Sequence, residues 1–241
     1  MSRITRLLGW WLLTLVLLQF FFVLRVGMMA YWDPSSTAFE RSERFRLLQS
    51  QKTLHWSQSW RPYAAISTQL KRAVIASEDD GFVLHGGVDW AALQKAREKN
   101  EKNEKSLNQT TRHPTPKVVG GSTISQQLAK NLFFSGERTL WRKGEEFWVT
   151  CWLELFLSKE RILALYLNHV EWGEGVFGAE AAARHYFKKS AADLNAPEAA
   201  RLAVMLPRPK YFEKHPDSPY LAQRSATIVE RMPSAHLPAS P

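Results

Sequence analysis

The chain has 241 residues, with 32 lysines and arginines against 23 aspartates and glutamates, a formal net charge of +9 and one cysteine, Cys151. That length fits one catalytic-sized domain plus an accessory segment, since a domain takes on the order of 100–200 residues. A lone cysteine excludes an intrachain disulfide and leaves the redox compartment unread.

The accessory segment comes first. LLGWWLLTLVLLQFFFVL, Leu7 to Leu24, carries no charged side chain and no proline. At about 1.5 Å per residue it reaches roughly 27 Å, close to the ~30 Å hydrocarbon core of a bilayer. This predicts an anchor over residues 1–32 with a single transmembrane helix at about 7–26. Arg3 and Arg6 precede the run and Arg25 alone follows closely, so the positive-inside rule favours a cytoplasmic N-terminus. Trp10, Trp11, Tyr31 and Trp32 stand near its ends, as interfacial aromatics do. The run is longer than a signal peptide's apolar region of about 7–15 residues, and VGMMAYW offers no convincing small-x-small cleavage site, so it reads as uncleaved. A basic domain held at a bilayer points to an anionic membrane surface or a phosphorylated, membrane-embedded substrate. The same anchor argues against nucleic acid, the other partner that positive charge suggests.

Residues 33–62 read as a polar juxtamembrane connection with a short helical pattern around Phe39 to Leu48. A helix then passes through Leu70, Ala73, Val74 and Ile75 and ends in SEDDGFVLHGG, Ser77 to Gly87. KAREKNEKNEKSLNQTTRHPTPK, Lys95 to Lys117, is rich in Lys, Glu and Asn and closes on two prolines, the pattern of a solvated helix end running into a mobile loop. From Ser122 onward nearly everything is helical. In STISQQLAKNLFF, Thr123 and Gln126 fit a capping box, and Ile124, Leu128 and Leu132 recur on one face. Trp141 to Leu157 and Ser158 to Asn168 give two more helices, the second with Ser158 as N-cap and Ile162, Leu163, Tyr166 and Leu167 inward. Glycines at 173, 175 and 178 interrupt the pattern before AEAAARHYF, and Pro197 and Pro207 bracket a last helix. The main domain is expected over 63–232, with a disordered Pro/Ser/Ala-rich tail at 233–241. No run alternates like a strand, so the fold class is mainly α.

Three stretches carry chemistry. Glu78, Asp79 and Asp80 cannot all be buried and ionised cheaply, because neighbouring like charges raise one another's pKa. One is expected to face solvent, one a backbone or histidine partner and one a cleft, where apolar neighbours such as Phe82 would tune it for acid–base work. GGSTISQQLAKN sets Thr123, Gln127 and Lys130 on one helical face, behind glycines whose free N–H groups suit an anion. In ERTLWRKGEE, Arg138, Arg142 and Lys143 cluster before Glu146. Arg142 and Glu146 stand at i, i+4, fitting either a simple ion pair or cations that bind phosphate.

These stretches resemble, in order and spacing, the signature motifs of the peptidoglycan glycosyltransferases, glycosyltransferase family 51. EDDGFVLHGG is similar to ED-xx-F-xx-H-x-G, GGSTISQQLAKN to GGSTI-[ST]-QQL-x-KN, RKGEE to RK-xx-E and KERILALYLN to K-xx-IL-x-x-YLN, and EWGEGVFGAEAAARHYF adds a fifth match. The resemblance covers about residues 61–210. Ala164 stands where the family often has glutamate, and no S-x-x-K or KTG of a penicillin-binding domain is present, so the monofunctional members are the nearest likeness.

The resemblance implies a lysozyme-like, two-lobed helical domain. It would polymerise lipid II into β-1,4-linked glycan strands by inverting displacement of a lipid-linked pyrophosphate, at the inner (cytoplasmic) membrane with the catalytic domain periplasmic. Glu78 would be the general base. Glu146 would be a second essential carboxylate that holds the cations, binds a divalent ion or contacts the donor. Lys130, Arg138, Arg142 and Lys143 would neutralise pyrophosphate. Ser122, Thr123, Gln126, Gln127 and Asn131 would position sugars or shape the cleft, and Asp79, Phe82 and His85 would support the loop. No residue is read as a metal ligand and the sequence requires no cofactor, with magnesium or manganese left open as an addition. Partners implied are lipid II, the growing strand, the membrane and division or cell-wall synthesis proteins. The rival readings are a lytic enzyme of the same wall and an inactive anchored scaffold.

Overall fold

Helix α1 (Arg3–Met28) is the expected apolar span, long and apolar enough to cross a membrane and with almost all of it uncovered by the rest of the chain. The computed structural model describes residues 3–50, 55–107, 121–134 and 140–239. Only the last part of α1 enters the core: Phe22, Val26 and Met29 are buried, and Phe22 meets Phe133 edge-on at 5.2 Å. Its exit is clamped by Arg161, whose Nε donates to the Met29 carbonyl (2.7 Å), whose Nη2 donates to the Trp32 carbonyl (3.1 Å), and whose Nη1 pairs with Asp33 (2.7 Å). A guanidinium satisfies orphan carbonyls at a helix C-terminus and complements the negative end of its dipole.

The connection contains α2 (Ala38–Gln49), opened by a Thr37/Glu40 capping box, and a two-residue strand β1 (Ser57–Gln58). Helix α3 (Thr68–Glu78) follows, capped by Ser67 and buried along Leu70, Ala73, Val74 and Ile75. Then come α4 (Trp90–Leu107), α5 (Ile124–Phe133), α6 (Leu140–Phe156) and α7 (Lys159–His169). Strands β2 (Glu171–Gly173) and β3 (Val176–Phe177) lead into α8 (Ala179–Phe187), α9 (Ala196–Met205), α10 (Pro209–Lys214) and α11 (Pro219–Arg231). The three strands form one small sheet in the order β1-β3-β2, with β1 parallel and β2 antiparallel to β3. Gly175 turns β2 into β3 at φ +74°, and a Cβ there would lie 2.0 Å from the His55 carbonyl oxygen, so only glycine fits.

Two packings position the site. Helix α3 lies against α9 and α11, while α5 lies between α6 and α7, and α6 also carries α1. The faces predicted for α5 and α7 are the buried ones: Ile124, Leu128 and Leu132, and Ile162, Leu163, Tyr166 and Leu167. Gln19 of α1 donates to Glu145 (2.9 Å) and accepts from the Trp152 indole (3.2 Å), so the span and α6 are joined by polar contacts as well as by packing.

One expectation is corrected in extent and one fails. In the stretch 95–117, read as a helix end running into a mobile loop, the helix continues as far as Leu107, so the loop does not begin near 95, and the remaining residues lie outside those described. Its stability comes from i, i+4 contacts, Gln94 to Glu98 (3.0 Å) and Arg97 to Glu101 (3.4 Å), and from Ala96 packed on Gly121. The tail read as disordered from 233 is instead docked to 239. A short 3₁₀ turn spans Met232–Ser234, Arg72 donates to the Pro233 carbonyl (3.1 Å), Ala235 is buried and Leu237 packs on the core.

Candidate active site

The three adjacent carboxylates divide as their mutual repulsion requires. Asp80 is exposed and pairs with Arg231 at 3.2 Å. Asp79 is buried: Oδ1 lies 2.8 Å from His85 Nε2, and Oδ2 accepts from the backbone N–H of Ile124 at 3.0 Å. His85 Nδ1 accepts from the Gly87 N–H (3.1 Å), so a neutral ring carries its proton on Nε2 and donates it to Asp79. That carboxylate therefore sits on the N-terminal end of α5, where the helix dipole favours an anion. Both its oxygens are engaged, and its role is to bind the acidic loop to α5.

Glu78, the last residue of α3, is half-buried and faces the cleft. Its Oε2 accepts from Gln127 Nε2 at 3.0 Å, and Gln127 Oε1 in turn accepts from the Tyr166 hydroxyl at 2.9 Å. Tyr166 is fully buried, and burial, with the charges of Glu78 and Asp79, raises its pKa well above the usual phenol value. It therefore remains a donor, which fixes the Gln127 amide with its NH₂ toward Glu78. Burial raises the Glu78 pKa and the Asp79 charge adds to it, against the donors Gln127 and Ser77 and the distant charge of Arg224. This is the environment of a carboxylate adjusted for proton transfer.

The two motif loops are stitched together. Thr123 Oγ1 donates to the Gly87 carbonyl (2.6 Å) and accepts from the Gln126 N–H (3.2 Å) in the predicted capping box. Gly87 has φ +90°, and a Cβ there would stand 2.8 Å from Thr150 Cγ2 and 2.9 Å from Glu154 Cγ, so the glycine closing this loop has a steric reason. Lys159 Nζ donates to the His85 carbonyl (2.7 Å) and to Glu154 (2.8 Å), and lies 4.6 Å from the centre of the buried Phe82 ring. Asp79, Phe82 and His85 thus make their contacts within this loop and to α5 and Lys159.

A separate cationic group stands on α6. Glu146 is almost fully buried, with Arg142 Nη1 on Oε2 (3.1 Å) and Lys143 Nζ on Oε1 (2.5 Å). Of the three roles open to Glu146, holding these cations is the one the geometry supports. Helix α5 joins the two groups: Gln127 reaches Glu78, Lys130 lies exposed one turn further along, and α6 packs against the same helix. Asn131 is buried on α5, Ser122 is exposed ahead of it, and Arg138 lies outside the described residues. Among the described residues no three His, Cys, Asp or Glu side chains converge in a metal-binding group.

A cavity of about 320 Å³ opens at Glu78, with Ser122 and Thr123 in its wall. Lys95 and Lys99 of α4 and Arg231 of α11 complete it, whereas Lys130, Arg142, Lys143 and Glu146 do not line it. Sequence reasoning missed these three cations, and it missed Tyr166 as a partner of the site. The i, i+4 spacing of Lys95 and Lys99 was the available signal for the first, and the need of an inward tyrosine hydroxyl for a partner was the signal for the second.

Similar proteins place the chain in a family. The family model described as Transglycosylase matches residues 46–233. Proteins named biosynthetic peptidoglycan transglycosylase are similar along nearly the whole chain. The one from Janthinobacterium sp. (strain Marseille) is 50% identical over 98% of this chain and 100% of its own length. That from Herminiimonas arsenicoxydans is 48% identical over the same shares, and that from Bordetella avium 48% identical over 94% and 93%. With most of its length matched by the family model and near full-length relatives at half identity, the chain belongs to the transglycosylase family, with its lysozyme-like helical domain.

Proposed function

We propose that this protein is a peptidoglycan glycosyltransferase that polymerises lipid II into β-1,4-linked glycan strands. The observation that carries the reading is the Tyr166–Gln127–Glu78 chain, which aims a half-buried carboxylate of raised pKa into a cavity at the head of α5. Glu78 takes the proton from the 4-hydroxyl of the acceptor sugar as that oxygen attacks the anomeric carbon of the donor. The C–O bond to pyrophosphate breaks in the same step, and the α-linked donor becomes a β-linked product. Pyrophosphate leaves readily once its charge is met, so the site needs fixed cations more than a second acid. Lys130, Arg142 and Lys143 are assigned to that charge, with Glu146 holding the latter two in place. Magnesium or manganese, where present, would meet the diphosphate rather than Glu146, whose two oxygens are both engaged.

Helix α1 serves as a single-pass anchor in the cytoplasmic membrane, N-terminus inside and catalytic domain in the periplasm. It confines the enzyme to the layer in which lipid-linked donor and acceptor diffuse, raising their effective concentration. Arg161 and Gln19 hold the domain to that anchor, and exposed Trp141, Trp148, Leu155 and Phe156 on α6 extend the apolar surface beside it. Division or cell-wall synthesis proteins are the partners this placement suits. Incubation of the membrane-anchored protein with lipid II, and separately with finished glycan strands, tests the reading: polymer growth from lipid II is expected, and shortening of finished strands without growth would overturn it.

A further inference from the structure

Helix α6 carries another carboxylate about two turns beyond Glu146. The Glu154 side chain is 12% exposed, and its Oε1 accepts from two donors on two other elements. One is the hydroxyl of the fully buried Ser125 at the head of α5 (2.5 Å), the other the Lys159 ammonium at the start of α7 (2.8 Å). Lys159 Nζ also donates to the His85 carbonyl (2.7 Å), and His85 Nε2 is bonded to Asp79, the neighbour of Glu78. Ser125 stands two places before Gln127, whose amide donates to Glu78. The Glu154 stem meanwhile packs where a Cβ on Gly87 would fall. Glu154 therefore reaches both partners of the Glu78–Gln127 hydrogen bond at one remove: α5 through Ser125, and the acidic loop through Lys159 and Gly87. Asp79 on the Ile124 N–H and Thr123 on the Gly87 carbonyl tie the same two elements directly, whereas Glu154 grips both from a third helix.

Resting on the polymerase reading above, we infer that Glu154 is a positioning residue of the reaction: it fixes the head of α5 against the acidic loop, and so keeps Gln127 on Glu78. It does not line the cavity at Glu78, so it acts through Ser125 and Lys159 rather than on the reacting atoms. The chemistry suits a carboxylate. Charge-assisted hydrogen bonds are shorter and stronger than neutral ones, and more so in a site partly shut off from water. Without that charge, the Lys159 ammonium keeps only the His85 carbonyl and the face of the Phe82 ring. At 20% exposed it then turns toward solvent and releases the loop. A shift of about 1 Å between the base and the groups that orient it is enough to cost on the order of 10² in rate.

Steady-state polymerisation of lipid II by the full-length protein in lipid vesicles is measured for Glu154→Gln, Ser125→Ala and Gln127→Leu. The first two are also combined, each in turn, with Gln127→Leu. Glu154→Gln keeps the side-chain volume and is expected to lower kcat about 30–100-fold, with the Michaelis constant within about twofold. Ser125→Ala, which leaves the Lys159 pair in place, is expected to lower kcat about three- to tenfold. On the Gln127→Leu background each is expected to cost less than about threefold, because the link through which they act is already cut. Loss of folded protein would instead multiply through both backgrounds, so equal losses with and without Gln127 make Glu154 a merely structural residue and overturn the inference. An unchanged kcat in Glu154→Gln, whatever its Michaelis constant, overturns it while leaving the polymerase reading intact. Should Glu154→Gln not fold, Ser125→Ala decides by the same comparison. A wild type that makes no polymer overturns the functional reading and the positioning role together.

Discussion

Glu78→Gln is expected to lower kcat for lipid II polymerisation by about 10²–10⁴, the usual contribution of a positioned general base, while binding of lipid II is kept. Glutamine fills the same volume but cannot accept the proton. Gln127 and Tyr166 retain their own bond in the variant, so the cleft is preserved and the loss reports chemistry. Asp79 has one oxygen on His85 and the other on the α5 backbone, and Asp80 is turned to solvent and Arg231. Polymerisation rates under saturating lipid II check this, and a variant within about tenfold of the wild type would mean that another group takes the proton.

Glu146→Gln is expected to lower kcat by about 10²–10³, the scale seen when one preorganised electrostatic group is removed from a site. The carboxylate is almost fully buried, and its two oxygens divide between Arg142 and Lys143. Removing one member of a buried pair costs roughly 3–5 kcal/mol, and the half-exposed Lys143 reduces the stability share of that to about 1–3 kcal/mol. The remainder appears as lost order in the cations that meet the leaving pyrophosphate. The thermal midpoint should fall by a few degrees while the rate falls far more. Rate assays with added magnesium or manganese separate the roles: a rate restored by excess metal would make Glu146 a metal ligand and contradict its assignment as holder of Arg142 and Lys143.

Much of this site was legible because its logic is local. Three consecutive carboxylates force a division of surroundings, and the division found is the one expected for Glu78, Asp79 and Asp80. Thr123 with Gln126, the Ile124–Leu128–Leu132 face and the Arg142–Glu146 pair are all set within one or two helical turns, where spacing alone decides. What escaped depends on distant parts of the chain. Tyr166 was legible as an inward residue, but its hydroxyl's partner is 39 positions away, and Gln127 was read toward substrate rather than toward Glu78. Helix α4 lacks a continuous apolar stripe. Its composition resembles a loop, and the close approach of Ala96 and Leu93 to Gly121 gives it a docked side. The tail past Pro233 is held by Arg72 and by burial of Ala235, neither visible in a Pro/Ser/Ala composition. Strands β1 to β3 are two or three residues each, too short for alternation to register.

The pH dependence of kcat/KM for lipid II tests the role of Glu78 most directly. The base must be deprotonated, and burial raises its folded pKa, so activity should fall with decreasing pH through a midpoint above the ordinary carboxylate range. Gln127→Leu removes the donor that steadies the charged form, and should move that limb to still higher pH. An acid limb in the ordinary carboxylate range, or one that Gln127→Leu leaves in place or shifts downward, would contradict Glu78 as the proton acceptor.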